Sequence, residues 1–269
     1  MLIKLKKISM FNQKILKINA HKIAKKILKT KKNKKFFNKP FKHLIIDNIL
    51  EKKFAYKCLK DFPNLNKKKL WEKSNIKSIE IKYRSNWDSE FDIPDNIVNL
   101  VRILNSSIFL KALSEVFSIP KLLPDPYFTG GGLNVTEKGG LLDVHVDGNY
   151  HDASGLNRRL NILVYFNPNW KKNWGGEFGI YSNRGERCVK KIEPIFNRLI
   201  AFDTHDYSYH GLPNPINFPK KNPRRSLILY YYTKEKRPKT QVKVSKPHSA
   251  LWRKKKFLDK KGKIVRNYT

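Results

Sequence analysis

Leu141-Leu142-Asp143-Val144-His145-Val146-Asp147 is a β-prone run set between Gly139-Gly140 and Gly148. In an extended strand alternate residues share a face, so His145 and Asp147 point one way and Val146 the other. Seven further short runs surround this one, at residues 132–137, 160–166, 177–181, 188–192, 198–202, 207–210 and 226–233, punctuated by Gly, Asn and Pro. Short strands at this spacing predict an antiparallel sandwich or jelly roll.

Upstream the texture is different. Residues 41–47 read as a first strand, after which Asp47 or Asn48 is positioned to cap a helix running through Phe54, Cys58 and Leu59 to a stop near Pro63. A second helical pattern follows Pro94, with Ile97, Leu100, Val101, Leu104, Ile108 and Phe109 continuing through Leu113 and Phe117 to Pro120. The expected organisation is a basic arm over 1–40, a helical support region over 41–125, a β core over 126–238 and a basic tail over 239–269.

Charge follows the same division. The 269 residues carry a formal net charge of +35, of which 1–46 contribute 15 Lys and no acid, and 233–269 contribute 14 basic and 2 acidic residues. The body between them is nearly balanced. Basic ends suit nucleic acid or an anionic membrane, with Phe36, Phe37 and Trp252 as candidate base-stacking aromatics. Against that, 45 of the 57 basic residues are Lys in an Asn- and Ile-rich chain, the signature of an AT-rich coding sequence. Residues 14–29 place Leu16, Ala20, Ile23, Ala24 and Ile27 on one helical face, to lie on a membrane or to pack on the body. No run of apolar residues is long enough to span a bilayer. Two cysteines, Cys58 and Cys188, and the absence of a secretory pattern at Met1 predict a reducing cytoplasm. No Gly-rich phosphate loop or Gly-x-Ser-x-Gly elbow points to a kinase or a hydrolase.

The pair His145 and Asp147 needs a third ligand to hold a metal, and His210 lies 63 residues beyond Asp147 on a run that a jelly roll can bring alongside. Two imidazoles and one carboxylate on a single face, with the opposite face open, are the donor set of non-haem Fe(II) sites, whereas structural zinc wants a fourth ligand, usually thiolate. On its own a His-x-Asp pair is an ordinary feature of a strand surface. Asp143, His151, Asp152, His205 and Asp206 are nearby competitors. In the last run Arg224 and Ser226 share a face and Arg225 looks away, so Arg224 with Ser226 forms a receptor for a carboxylate, to which Tyr165 from the opposing sheet could add its hydroxyl.

From Gly132 to Thr233 the order of motifs resembles the 2-oxoglutarate and Fe(II)-dependent dioxygenases of the prolyl 4-hydroxylase-like type, including the hypoxia-sensing prolyl hydroxylases. The motifs are His145-Val146-Asp147, Tyr165-Phe166-Asn167 with Trp170, Gly175-Gly176-Glu177, Ile192-Glu193-Pro194 with Phe196-Asn197-Arg198-Leu199, His210 before Pro213, and Arg224. The resemblance implies a double-stranded β-helix (jelly roll, cupin-like) core behind N-terminal helices. It implies His145, Asp147 and His210 as iron ligands, and Arg224, Tyr165 and Ser226 as the 2-oxoglutarate site. The usual tyrosine on the strand before His145 is absent, and Asn134 or Thr136 stands in its place. The implied reaction consumes O2 and 2-oxoglutarate, hydroxylates a C–H bond and releases succinate and CO2, with ascorbate as an accessory reductant. Peptidyl proline is the substrate it favours. Arg158 and Arg159, in the segment 148–159 expected to form the substrate lip, would instead suit an anionic small molecule such as a sugar or nucleotide-linked substrate. A non-catalytic β-sandwich that binds nucleic acid or membrane is the alternative of another class.

Overall fold

The computed structural model describes residues 13–76, 79–87, 89–182, 185–253, 256–258 and 264–266. The first twelve residues of the expected arm and much of the expected tail beyond Arg253 lie outside these. Helix α1 (Gln13–Leu28) is the amphipathic segment read from the sequence. Its face of Ala20, Ile23, Ala24 and Ile27 is buried against the helices described below, so it is not open to a membrane surface. The short strand β1 (Phe36–Phe37) pairs with β2 (His43–Ile46), and α2 (Lys52–Lys60) follows. Neither Asp47 nor Asn48 caps α2. Its N-cap is Glu51, without a side-chain bond, and the Asp47 carboxylate pairs with Arg198 instead.

A hairpin that the sequence reading missed comes next, β3 (Trp71–Ile76) with β4 (Glu80–Ser85). The single helical pattern expected after Pro94 is two helices, α3 (Asp95–Leu104) and α4 (Ser107–Phe117), bent by 48°. The break has a local cause, because the Ser106 hydroxyl accepts from the Phe109 amide as an N-cap and restarts the helix. Among the described residues no single helix is long and apolar enough to cross a membrane. The two cysteines are unbridged, Cys58 being buried.

The remaining strands of the large sheet are β5 (Leu123–Pro124), β6 (Gly132–Thr136), β7 (Leu141–Val146), β8 (Asn157–Tyr165), β9 (Phe178–Tyr181), β10 (Cys188–Ile192), β11 (Leu199–Asp203), β12 (His210–Leu212), β13 (Arg224–Thr233) and β14 (Leu251–Trp252), and β15 (Lys256–Leu258) pairs with β16 (Ile264–Arg266) in a separate two-stranded sheet. Seven of the eight β runs expected from the sequence are strands with ends shifted by a few residues, whereas the run at 207–210 is mostly turn and irregular chain and only its last residue, His210, opens β12. The strands of the large sheet join in the order β1-β2-β11-β8-β13-β6-β4-β7-β12-β9-β10, every pair antiparallel. The sheet curls back on itself, since side chains of β8 and β11 meet those of β9 and β10 from the far end of that order in one cluster of Leu163, Tyr165, Ile200, Phe202, Phe178, Ile180 and Ile192. This is the double-stranded β-helix.

Alternation divides the large sheet between two partners. On β8, Leu160, Ile162 and Val164 face the helices, as do Leu199 and Ala201 of β11 and Leu227, Leu229 and Tyr231 of β13. Their neighbours in sequence face the barrel interior. Helices α1, α3 and α4 thus cover one face of the sheet and leave the other to line a cavity.

Two buried histidines brace the closed end. His43 on β2 and His205 just after β11 both pack on Phe41. Burial, with Lys190 beside His43 and Arg237 near His205, pushes each down to about 4. A folded pKa below the unfolded value of about 6.5 means that the unfolded chain takes up the proton first. Stability should therefore fall as pH drops from about 6.5 towards 4, by at most about 1.4 kcal/mol per unit for each histidine. Denaturant melts across that range should show the slope, and His205→Leu should flatten it. Separately, Ile27→Ala should cost about 2–5 kcal/mol, because it empties a fully buried site between α1 and the helical layer. An unchanged urea midpoint would mean that α1 is a detachable arm.

Candidate active site

Strands β7 and β12 are adjacent, with His145 directly opposite His210. Their rings lie 4.4 Å apart between centroids, and both are buried. Each ring is oriented in the same way: His145 Nδ1 lies 2.8 Å from the Asp143 carbonyl and His210 Nδ1 lies 2.9 Å from the Ser208 carbonyl. A carbonyl only accepts, so each Nδ1 carries the proton and each Nε2 presents its lone pair to the cavity. Asp147, just past the end of β7, places Oδ1 3.5 Å from His145 Nε2 and 3.8 Å from His210 Nε2. Its Oδ2 accepts from Asn161 Nδ2 at 3.1 Å, which leaves Oδ1 free to act with the two imidazoles. Burial, together with the neighbouring His145, pushes His210 down to about 4. Although burial alone would raise the Asp147 carboxyl, His210, His145 and Arg158 hold it well below the usual carboxylate range. A carboxylate and two imidazoles within 4.8 Å of one another are able to hold a divalent metal ion.

Arg224 enters the same cavity from β13. It is 4% exposed, with Nε donating to the Gly176 carbonyl at 2.9 Å and Nη2 to the Tyr165 hydroxyl at 3.3 Å. Gly176, at φ +79°, is required here, because a Cβ would lie 3.0 Å from Arg224 Cδ. Tyr165 does not come from an opposing sheet as expected. It sits on β8, the neighbour of β13 in the same sheet, opposite Ser226. Arg225 has the other parity and faces the helical side, its guanidinium 6.0 Å from the Phe62 ring.

Asn134, Thr136, Asn161, Arg224 and Ser226 line one cavity with His145, Asp147 and His210. Asn134 donates to the Gly132 carbonyl at 3.3 Å. Ser226 Oγ and Asn161 Oδ1 are buried without a hydrogen-bond partner. Unpartnered polar atoms beside a guanidinium that has no carboxylate within 4 Å among the described residues fit a polar, anionic guest reaching from the His145, Asp147 and His210 cluster to Arg224.

Four of the five competitors are engaged elsewhere. Asp143 pairs with Arg253, His151 with Asp125 and Asp206 with Arg237, while His205 packs on Phe41. Asp152 lines the outer mouth. Three residues of the site were missed at the sequence level. Asn161 has the parity of Tyr165 on β8, which could have revealed it. Lys82 and Tyr230 line the cavity from β4 and β13; Lys82 gave no signal, because its strand carries no motif. Of the lip arginines, Arg158 turns to the mouth of the site, whereas Arg159 is buried next to Asp203. The aromatics considered for base stacking are committed to internal contacts, Phe36 with Phe117, Phe37 with His43 and Trp252 with His145.

Comparison with known proteins places this arrangement. Residues 131–232 match the family described as the 2OG-Fe(II) oxygenase superfamily. The mouse protein prolyl 3-hydroxylase OGFOD1 is 24% identical over 86 residues, which are 30% of this chain. The chain spans 15% of the length of that curated relative. Among solved structures, a Trichoplax adhaerens prolyl hydroxylase in complex with a hypoxia inducible factor oxygen degradation domain peptide fragment superposes with a TM-score of 0.53 at 17% identity, covering 83% of this chain and 94% of that one. A Pseudomonas putida prolyl-4-hydroxylase superposes with a TM-score of 0.54 at 11% identity, covering 79% and 99%. The stretch that brings His145, Asp147, His210 and Arg224 together, residues 131–232, is thus the part of the chain that matches the 2OG-Fe(II) oxygenase superfamily, and the fold around it is similar to that of the prolyl hydroxylases.

Proposed function

We propose that the protein is a 2-oxoglutarate- and Fe(II)-dependent dioxygenase that hydroxylates a C–H bond and releases succinate and CO2. The observation that carries this reading is a single cavity with two imidazole Nε2 atoms and a carboxylate oxygen at one end and the buried Arg224 guanidinium at the other. Fe(II), with 2-oxoglutarate and O2, supplies the oxidation.

The chain's own residues do the rest. His145, Asp147 and His210 hold the metal, and the two Nδ1 contacts keep both imidazoles in the ligating tautomer. Asn161 fixes the Asp147 carboxylate by occupying Oδ2. Arg224 receives the distal carboxylate of 2-oxoglutarate, with Tyr165 and Ser226 as hydroxyl partners and Asn134 lining the wall. Phe178 and Phe202, packed on the His210 ring, exclude water from the ligands. The substrate enters at the outer mouth, beside Arg158, Tyr150 and Trp252. Peptidyl proline is the substrate that the relatives support, since those with the same fold and core include prolyl hydroxylases.

Anaerobic titration with Fe(II) and then 2-oxoglutarate should produce a visible absorption band, and admitting oxygen should produce succinate even without substrate. His145→Ala, Asp147→Ala and His210→Ala should each abolish both, and persistence of both would refute the ligand assignment. Arg224→Ala should weaken 2-oxoglutarate binding more than about tenfold, corresponding to a lost charge-assisted contact of about 2–5 kcal/mol. Arg225→Ala should change it little. The reverse order in a binding titration would place the wrong arginine in the cavity. Asn161→Ala should weaken Co(II) affinity by about 10–100-fold, read from the metal's visible spectrum, and Asn161→Gln should restore it in part.

A further inference from the structure

Beyond the catalytic cavity, the outer mouth continues into a basic groove, the two sharing Tyr150. Arg158 stands where they meet. Its guanidinium lies 3.9 Å from the centroid of the Tyr230 ring and 5.7 Å from that of Tyr232. It makes no salt bridge among the described residues, and its Nε is buried without a hydrogen-bond partner. The other mouth cations differ, because Lys82 is paired with Glu80 at 2.9 Å and Arg84 with Glu72. A guanidinium set beside two aromatic rings, with its Nε unpartnered and no salt bridge, is a receptor for an incoming anion.

The groove extends this character outwards. It measures about 740 Å³ and is lined by Lys234, Lys236, Arg237, Lys239 and Lys243 against a single carboxylate, Asp206. Asp206 is itself taken up by Arg237, by His248 and by two backbone amides. Arg237 also donates twice to the Arg158 carbonyl, at 3.0 and 2.8 Å, so the groove wall and the strand that carries Arg158 are tied together. Lys234, Lys236 and Lys239 are exposed.

We infer that the substrate is an acidic polypeptide segment, one carboxylate of which is received by Arg158 while flanking acids lie along the Lys234–Lys239–Lys243 groove. The inference rests on the catalytic reading above and specifies its substrate class. A nucleic acid fits less well. Asp152 stands in the mouth beside Glu80, which Lys82 pairs, and it disfavours a continuous run of phosphates more than single, spaced carboxylates. The groove also offers Tyr150 as its one aromatic side chain, where binding of a single strand depends on several stacking platforms. Arg158 is a specificity-determining residue in this scheme, distinct from Arg224 deeper in the cavity.

Fluorescence anisotropy on the full chain, loaded with Mn(II) and 2-oxoglutarate, tests the inference with labelled probes of matched length. The probes are proline-centred peptides flanked by Glu and Asp, by Gln and Asn or by Lys, and a single-stranded oligonucleotide. The acidic peptide should bind about tenfold or more tighter than the neutral one, and the preference should shrink with added salt. Arg158→Gln should erase most of the preference and Arg158→Lys should retain part of it. Reversal of the surface charges in Lys234→Glu, Lys236→Glu and Lys239→Glu, positions whose exposure spares the fold, should weaken the acidic peptide alone. Equal affinity for acidic and neutral peptides, an unchanged preference in these variants or tighter binding of the oligonucleotide overturns the inference. Succinate formation by the wild type is scored in parallel. If succinate forms without an acidic preference, only the substrate class fails; if none forms, the catalytic reading fails whatever the peptides do.

Discussion

Alternation along β8 and β13 is the constraint on which the site depends. Each strand has one face committed to the helical layer, through Ile162 and Val164 on β8 and Leu227, Leu229 and Tyr231 on β13. Because side chains reverse at every residue, that commitment determines the other face as well. Asn161 and Tyr165 on one strand, and Arg224, Ser226 and Tyr230 on the other, turn inwards because their neighbours are needed outside. A slip of one residue would bury Arg225 in the cavity and send Ser226 into the apolar layer. The helices thus act on the chemistry at a distance, by holding register rather than by touching the site.

The same logic explains which parts of the molecule could be read from the chain. His145 with Asp147, and Arg224 against Arg225, were legible because period-two alternation needs only the strand to exist, and glycines and prolines bound these strands clearly. The pairing of Tyr165 with Ser226 was not, since sequence gives a strand's face but not its neighbour, and β8 and β13 are about sixty residues apart in the chain. The bend at Asn105-Ser106 was hidden because the apolar period runs through it almost unbroken. Only the capping hydroxyl of Ser106 marks the break, and a serine within a helical pattern has an alternative reading as a surface residue. The β3–β4 hairpin was missed because its side chains are mostly half-exposed and charged, Glu72, Lys73, Glu80 and Lys82 among them, and so lack the apolar alternation that signals a strand. Yet β4 joins the two halves of the curled sheet, pairing with β6 at Tyr83 and Arg84 and with β7 at Glu80 and Ile81.

The basic ends illustrate how composition misleads when placement is unknown. A Lys-rich arm with an apolar stripe reads equally as a membrane helix or as a packed one, and burial of Ile23 and Ile27 decides for packing in α1. The C-terminal segment likewise returns to the body. Among the described residues, Lys234, Lys236, Arg237, Lys239 and Lys243 gather on one side of the mouth, where Arg237 is pinned to Asp206 and to the Arg158 carbonyl. Net charge says little about partners until the fold has shown which charges are neutralised internally and which face a groove.

That returning segment also solves a problem posed by the ligand strand. One edge of β7 is taken by β12 over its whole working length, from Leu142 to His145. The other edge is met by β4 at Leu141 and Leu142, which leaves His145 and Val146 without a strand partner from that side, next to Asp147. Strand β14 supplies it, pairing Leu251 with Val146 and Trp252 with His145, while Arg253 donates its amide to the Val144 carbonyl. An exposed edge has unmet backbone groups and freedom to fray. Closing it with a segment whose Trp252 ring lies 4.5 Å from the His145 ring braces the ligand and roofs the mouth with the same residues. The segment 248–252 is therefore part of the same packed unit as the His145, Asp147 and His210 cluster, although it lies outside the stretch that carries the motifs.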